Sequence, residues 1–227
     1  MKLEQIITIS GKIHCMTGLC IGGSSNGPET GGNGQEVIKN PLTKEPYIPG
    51  SSLKGKMSSE LEKKYGSRRW NKESGKFVAD EKEPCGCGRR NCMICVIFGA
   101  YKNIRALSAP TRIIVRDAML SEESRAMLRA LLSENGGCLE RKVENIIRRD
   151  SEMADSPRTI ERVPSGVSFD FEIILRAFEG DDPEKMAAFV KEGLKMVESS
   201  YLGGNGSRGS GKVRFEYAVV TEKAGGR

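Results

Sequence analysis

The sequence predicts an α+β fold, a sheet with a few helices covering one of its faces. Three observations carry this. Residues 7–15, 167–175 and 213–219 alternate apolar and polar side chains, the period of half-buried strands. Residues 53–65 and 186–197 repeat apolar side chains every three or four positions, the period of amphipathic helices. The order of segments is strand, helix, strand, helix, a projecting segment, strand, helix, strand. That order fits a ferredoxin-like βαββαβ sheet with insertions.

Taken in order, Ile7, Ile9, Gly11, Ile13 and Cys15 share one phase of the first strand. Residues 17–34 hold seven Gly with Pro28 and several Ser and Asn, a loop composition. After a turn at 46–50, a helix is expected from an N-cap at Ser51 or Ser52. Its face is Leu53, Met57, Leu61 and Tyr65, and Gly66 is its stop. Residues 67–84 read as a polar, basic insertion, part of an inserted region at about 67–105. Thr111 to Ala118 reads as a strand, and residues 121–133 as a helix through Met127, Leu128, Leu131 and Leu132. Residues 139–160 are dense in both charge signs with a weak apolar period. They suit an extended, hairpin-like projection, with a helix as the alternative. Val167, Phe169, Phe171, Ile173 and Leu175 alternate strictly. Asp181 and Asp182 before Pro183 start a helix faced by Met186, Phe189, Val190, Leu194 and Val197. Val213, Phe215, Tyr217 and Val219 form the last strand. The whole chain, 1–227, is read as one domain.

The 36 Lys+Arg against 30 Asp+Glu leave a net charge of +6. From Lys54 to Arg105 there are 13 basic and 6 acidic residues, a balance of +7 that leaves the rest near neutral. Such a local surplus fits phosphate binding, with a plain solvated face as the alternative. A single histidine, His14, excludes two-histidine acid/base pairs and HExxH zinc proteases. The first residues are polar and alternating, without a signal-peptide core, and no apolar run nears the ~18 residues that span a membrane. A cytoplasmic protein with free thiols and no membrane contact is expected; seven unevenly placed cysteines argue against a secreted disulfide framework.

Residues 203–213, GGNGSRGSGKV, contain GxGxxG and GxxxxGK by spacing. Both nucleotide motifs need a strand before the loop and a helix after it; here the order is reversed, and Val213 replaces the required Ser/Thr. The loop's chemistry survives that rejection. Its glycines let backbone N–H groups approach an anion, and Arg208 adds a planar cation matched to phosphate. Cys85, Cys87, Cys92 and Cys95 form C-x-C-x4-C-x2-C, four thiols able to close around one tetrahedral zinc ion. Arg89 and Arg90 within the loop would offset the site's negative charge. An iron–sulfur cluster or two local disulfides are the alternatives. With four protein ligands the metal would be structural. Cys15, Cys20 and Cys138 lack such partners.

Five stretches occur in one order: TGLCIGGS (17–24), EVIKNPLTKEPYIPGSSLKGKM (36–57), TRIIVRDAML (111–120), PRTIERVPSGVSFDFEI (157–173) and YLGGNGSRGSGKV (201–213). Together they resemble the RAMP superfamily, and most closely the backbone subunits of CRISPR type III-A (Csm) effector complexes. The resemblance implies a modified RRM-like fold with a projecting thumb, here about residues 139–165. It also implies copies of the chain stacked in a filament along a CRISPR RNA beside other type III subunits. The thumb would wedge between guide and target RNA about every sixth nucleotide. On this sequence, Ser51, Ser52, Lys54 and Lys56 would bind guide phosphates from a helix N-terminus. Gly204, Gly206, Ser207, Arg208 and Gly209 would hold the guide backbone. Sequence would be read by base pairing, not by the protein.

The family resemblance also implies target-RNA cleavage with Mg²⁺ or Mn²⁺, through an Asp in a GGxDxPVI-like loop. Here the aligned stretch is Gly31-Gly32-Asn33-Gly34-Gln35-Glu36-Val37-Ile38, so the Asp position falls on Gly34. A His that often follows TGL is Cys20. Gly34 has no side chain to hold a metal, so the expectation is RNA binding and scaffolding without a catalytic residue. Glu36 or Glu29 is the fallback, and geometric tolerances near 0.5 Å weigh against casual replacement. A histidine-dependent RNA-processing enzyme would have to use His14, which sits mid-strand and out of phase with the apolar face.

Overall fold

The structure is a computed structural model that describes residues 2–22, 36–71, 76–79, 83–103, 106–135, 139–147 and 154–224. The alternating segments pair as their period demands. Strand β1 (Leu3–Cys15) lies centrally, with Ile7, Ile9, Ile13 and Cys15 buried on one face and Thr8, Ser10, Lys12 and His14 on the other. Helix α1 (Gly50–Tyr65) follows, burying Leu53, Met57 and Leu61. Between it and the next sheet strand come a short hairpin, β2 (Arg68–Asn71) and β3 (Lys76–Ala79), and helix α2 (Met93–Phe98).

Of the segment expected as one strand over 111–118, only β4 (Ile113–Val115) is strand, and a second short strand, β5 (Met119–Leu120), follows just beyond it. The break has a physical cause. Ala118 leaves the sheet to exchange two backbone hydrogen bonds with Ile48, at 2.8 and 2.9 Å. Helix α3 (Glu122–Asn135) comes next. Strands β6 (Glu140–Ile147) and β7 (Ala154–Arg162) then pair, among the described strands, with each other alone, so the extended reading of 139–160 holds and the helical one does not. Strand β8 (Ser168–Phe178), helix α4 (Pro183–Ser199) and strand β9 (Val213–Lys223) complete the order. Asp182 caps α4 by accepting from the Lys185 N–H at 3.0 Å, with Pro183 in its first turn.

The sheet runs β4-β8-β1-β9, with β5 also on β8, and these pairings are all antiparallel. Reduced to β1-α1-β4-β8-α4-β9, this is βαββαβ with strand order 4-1-3-2, a ferredoxin-like sheet. Helices α1 and α4 pack on each other and on the buried sheet face, where Phe169, Ile173, Leu175, Val190, Leu194 and Phe215 join one core. A smaller cluster of Cys85, Cys87, Ile94 and Cys95 sits apart, leaning on Phe189 of α4. No helix among the described residues is long and apolar enough to cross a membrane.

Candidate nucleic-acid interface and metal centre

The expected serine cap of α1 does not form. The helix begins at Gly50, follows Pro49, and makes no side-chain cap of its own. Asp117, 67 residues away, takes that role: its Oδ1 accepts from the Gly50 N–H at 2.7 Å. Gly50 fits because a Cβ there would overlap the Val115 carbonyl. Ser51 is therefore exposed, and Ser52 and Lys54 are half-buried along the first turns.

Lys54 has no carboxylate partner among the described residues, and burial lowers its pKa. It lines a groove of about 1000 Å³ with Ser51, Ser58, Glu62, Tyr101 and Lys102. Lys56 is differently placed. It pairs with buried Glu60 at 2.7 Å and its ammonium lies 3.7 Å from the ring centroid of Tyr201, a cation–π contact. Burial raises the Glu60 pKa, but hydrogen bonds from Lys56 and Lys63 outweigh it and keep the carboxylate ionised more readily than usual.

Tyr201 opens the glycine loop, so Lys56 is where the two sequence-distant blocks meet. The loop is an ordered structure. Leu202 N–H donates to Gly211 O (2.8 Å), Gly204 N–H to Cys20 O (2.7 Å), and Gly211 N–H to Gly18 O (3.0 Å). Gly211 adopts φ +81°, and a Cβ there would overlap the Leu202 carbonyl. Gly206–Arg208 form a single 3₁₀ turn, and Ser207, Arg208 and the following Gly209 are exposed. Arg208 pairs with Glu144 of β6 at 2.9 Å and with the Asn205 side chain. Hydrogen bonding from Lys142, then Arg208, lowers the Glu144 pKa. Cys20 is buried beneath this turn and accepts from Asn205 Nδ2 at 3.4 Å.

Gly34 and Glu29 lie outside the described residues, as does Cys138. The flanks of the 23–35 stretch are described: Gly22 bridges Val37, and Ile38 N–H donates to Ile21 O at 2.9 Å. Glu36 is exposed at that edge. His14 is held in the sheet's open face by Ser168 Oγ (2.9 Å) and Glu216 (3.2 Å).

The four cysteines converge. Their sulfurs all lie within 4.8 Å of one another, with Cys85–Cys95 and Cys87–Cys95 at 3.6 Å and Cys85–Cys92 at 3.9 Å. A tetrahedral Zn²⁺ with Zn–S near 2.3 Å sets sulfurs about 3.8 Å apart, so the donors fit such an ion. The separations are far too long for the S–S bond of about 2.05 Å, and these thiols are free. Cys92 and Cys95 enter α2 at its N-terminus, which explains how a two-residue spacer turns both sulfurs inward. Gly88 N–H points at Cys95 Sγ (3.4 Å), and Arg89 hydrogen-bonds Cys87, supplying the positive charge that a thiolate site needs. Glu62 of α1 accepts from Cys85 N–H at 3.0 Å and ties this centre to the groove.

Sequence reasoning missed Asp117, Glu144, Glu161 and Arg162. Asp117 lies in TRIIVRDAML and the Glu161–Arg162 pair in PRTIERVPSGVSFDFEI, but their partners are far away in sequence and are set only by the fold.

The antiparallel sheet and its glycine loop are those of a known class: the chain belongs to the RAMP superfamily, which it matches over residues 12–214. Its individual relatives are Csm3 proteins. It is 38% identical to the CRISPR system Cms endoribonuclease Csm3 of Methanothermobacter thermautotrophicus, over 98% of this chain and 89% of that one. It is 37% identical to the Streptococcus thermophilus protein of the same name, over 95% of this chain and 89% of the relative. Among solved structures it resembles a Csm3–Csm4 subcomplex of the type III-A CRISPR-Cas interference complex (28% identity, TM-score 0.60, 98% of this chain and 82% of that chain). Methanopyrus kandleri Csm3 shares the fold at 22% identity and TM-score 0.62, over 98% of this chain and 79% of that one.

Proposed function

We propose that this chain is a backbone subunit of a type III CRISPR effector complex in the cytoplasm, binding guide and target RNA along a filament of its own copies and beside other subunits. The observation that carries this is the meeting of the SSLKGK block and the glycine loop at Lys56 and Tyr201, with half-buried Lys54 on the same helix having no carboxylate partner among the described residues. A desolvated cation without a counter-charge is stabilised by an anion, and a phosphodiester backbone supplies one every nucleotide. Ser51, Ser52, Gly204, Gly206, Ser207, Arg208 and Gly209 give neutral and cationic donors to the same backbone. Hairpin β6–β7, within residues 139–165, serves as the thumb. The cysteine centre, in the 67–105 insertion, holds structural zinc that fixes one wall of the groove through Glu62.

Target cleavage is the point of departure. Gly34 at the family Asp position supports a binding subunit that does not cut. The alternative is a metal-dependent endoribonuclease cutting at intervals of about six nucleotides, favoured by the names of the relatives and by exposed Glu36 at the loop's edge. The assembled complex is incubated with matched target RNA and Mg²⁺ or Mn²⁺. Intact RNA is the expected outcome; a regular ladder that disappears in Glu36→Ala would establish the nuclease.

A further inference from the structure

Two adjacent residues at the foot of β7 address two different loops. Successive side chains on a strand point to opposite faces. Glu161 reaches one way: its carboxylate accepts from the Val37 N–H at 3.0 Å and from Lys39 Nζ at 3.1 Å. That segment directly follows residues 23–35. Arg162 reaches the other way: Nη1 donates to Ser210 Oγ at 3.2 Å in the glycine loop, and Nη2 to Glu140 of β6 at 2.5 Å. Its guanidinium lies against Gly18, where any side chain would displace it, and the Gly18 carbonyl accepts from Gly211. Arg162 Nε is buried without a hydrogen bond, a cost the side chain's other bonds and its close packing on Gly18 must offset. On either side, Ile160 is buried and Val163 exchanges two 2.9 Å hydrogen bonds with Leu19. The foot of the hairpin is thus fixed to the core while its two polar side chains grip separate loops.

We propose that Glu161 and Arg162 are paired positioning residues that set the spacing between the 36–39 segment and the glycine loop, so that the hairpin's seating fixes both at once. That these loops handle RNA rests on the reading above; the mechanical pairing does not. A shift of β7 by a fraction of an ångström would move the guide-facing loop and the flank of the 23–35 stretch together.

Amide hydrogen exchange on the full chain without RNA tests this. Glu161→Ala should speed exchange of the Val37 amide about tenfold, as expected for loss of a charged acceptor. Arg162→Met, which keeps the stem but loses the donors, should also speed Val37 exchange about threefold although the two residues do not touch, and Arg162→Lys should restore part of it. The amide of Ile9 in β1 should not change, which separates this effect from unfolding. Acceleration confined to the glycine loop in Arg162→Met would overturn the proposal. Binding of a 40-nucleotide single-stranded RNA is measured on the same variants. If the parent chain in its complex binds no RNA, the functional reading fails, while the exchange data still decide the pairing.

Discussion

At Lys54, burial lowers the pKa and no described carboxylate offsets it. Replacement by Ala should therefore relieve a small cost in the free chain and remove a phosphate contact in the complex. We expect guide binding about tenfold weaker for every guide sequence, and a salt slope flatter by about 0.7, one phosphate's share on a single strand. A loss confined to one guide would mean base readout instead. Arg208 behaves differently because Glu144 already occupies it. The carboxylate competes with RNA phosphate, so Glu144→Gln should tighten guide binding about twofold, the scale of an exposed ion pair, while Arg208→Ala weakens it. Equilibrium titrations at two salt concentrations separate these signs.

Among the elements, α1 depends on residues far from it. Gly50 opens α1, where the helix-interior preference for Ala over Gly counts for little, and the added Cβ of Gly50→Ala meets the Val115 carbonyl, an overlap that costs about 1–3 kcal/mol. The overlap wins, and Tm should fall by a few degrees. Asp117→Ala should cost about 1 kcal/mol by removing the remote cap, and Asp117→Asn should retain most of that stability because it keeps the acceptor. A rise in Tm for Gly50→Ala would show that the helix start has room to shift. The same element shows what the sequence could and could not reveal. The stripe of Leu53, Met57 and Leu61 was legible because helical period is local. The start at Gly50 was not, because its acceptor comes from the β4–β5 break. Likewise β8 and β9 were plain in their alternation, and Cys85 to Cys95 in their spacing. Strands β2 and β3 and helix α2 escaped notice: the first two are four residues each, and α2's continuous apolar run has no period to detect.

For the molecule as a whole, the cysteine centre is a second, separate source of order. The small core around it contains few apolar side chains besides the thiols, so a bound ion would contribute most of its stability. We expect about one zinc per chain by elemental analysis, lost in Cys92→Ser/Cys95→Ser together with protection of residues 83–102. Because Glu62 joins that segment to α1, guide affinity should also fall when zinc is stripped. Iron absorbance in place of zinc would overturn the metal assignment.

The pairing of β1 has a consequence for how the chain acquires its shape. Gln5 faces Ala177 on one side and Lys223 on the other. Strand β1 is thus made well before either of its neighbours: 152 residues (16–167) separate it from β8 and 197 (16–212) from β9. Closing loops of that length carries a large entropic barrier, and folding should be slow, with β1's isoleucines exposed in the nascent chain until β8 arrives. Its polar alternate face, Thr8, Ser10, Lys12 and His14, interrupts what would otherwise be a continuous sticky segment during that wait.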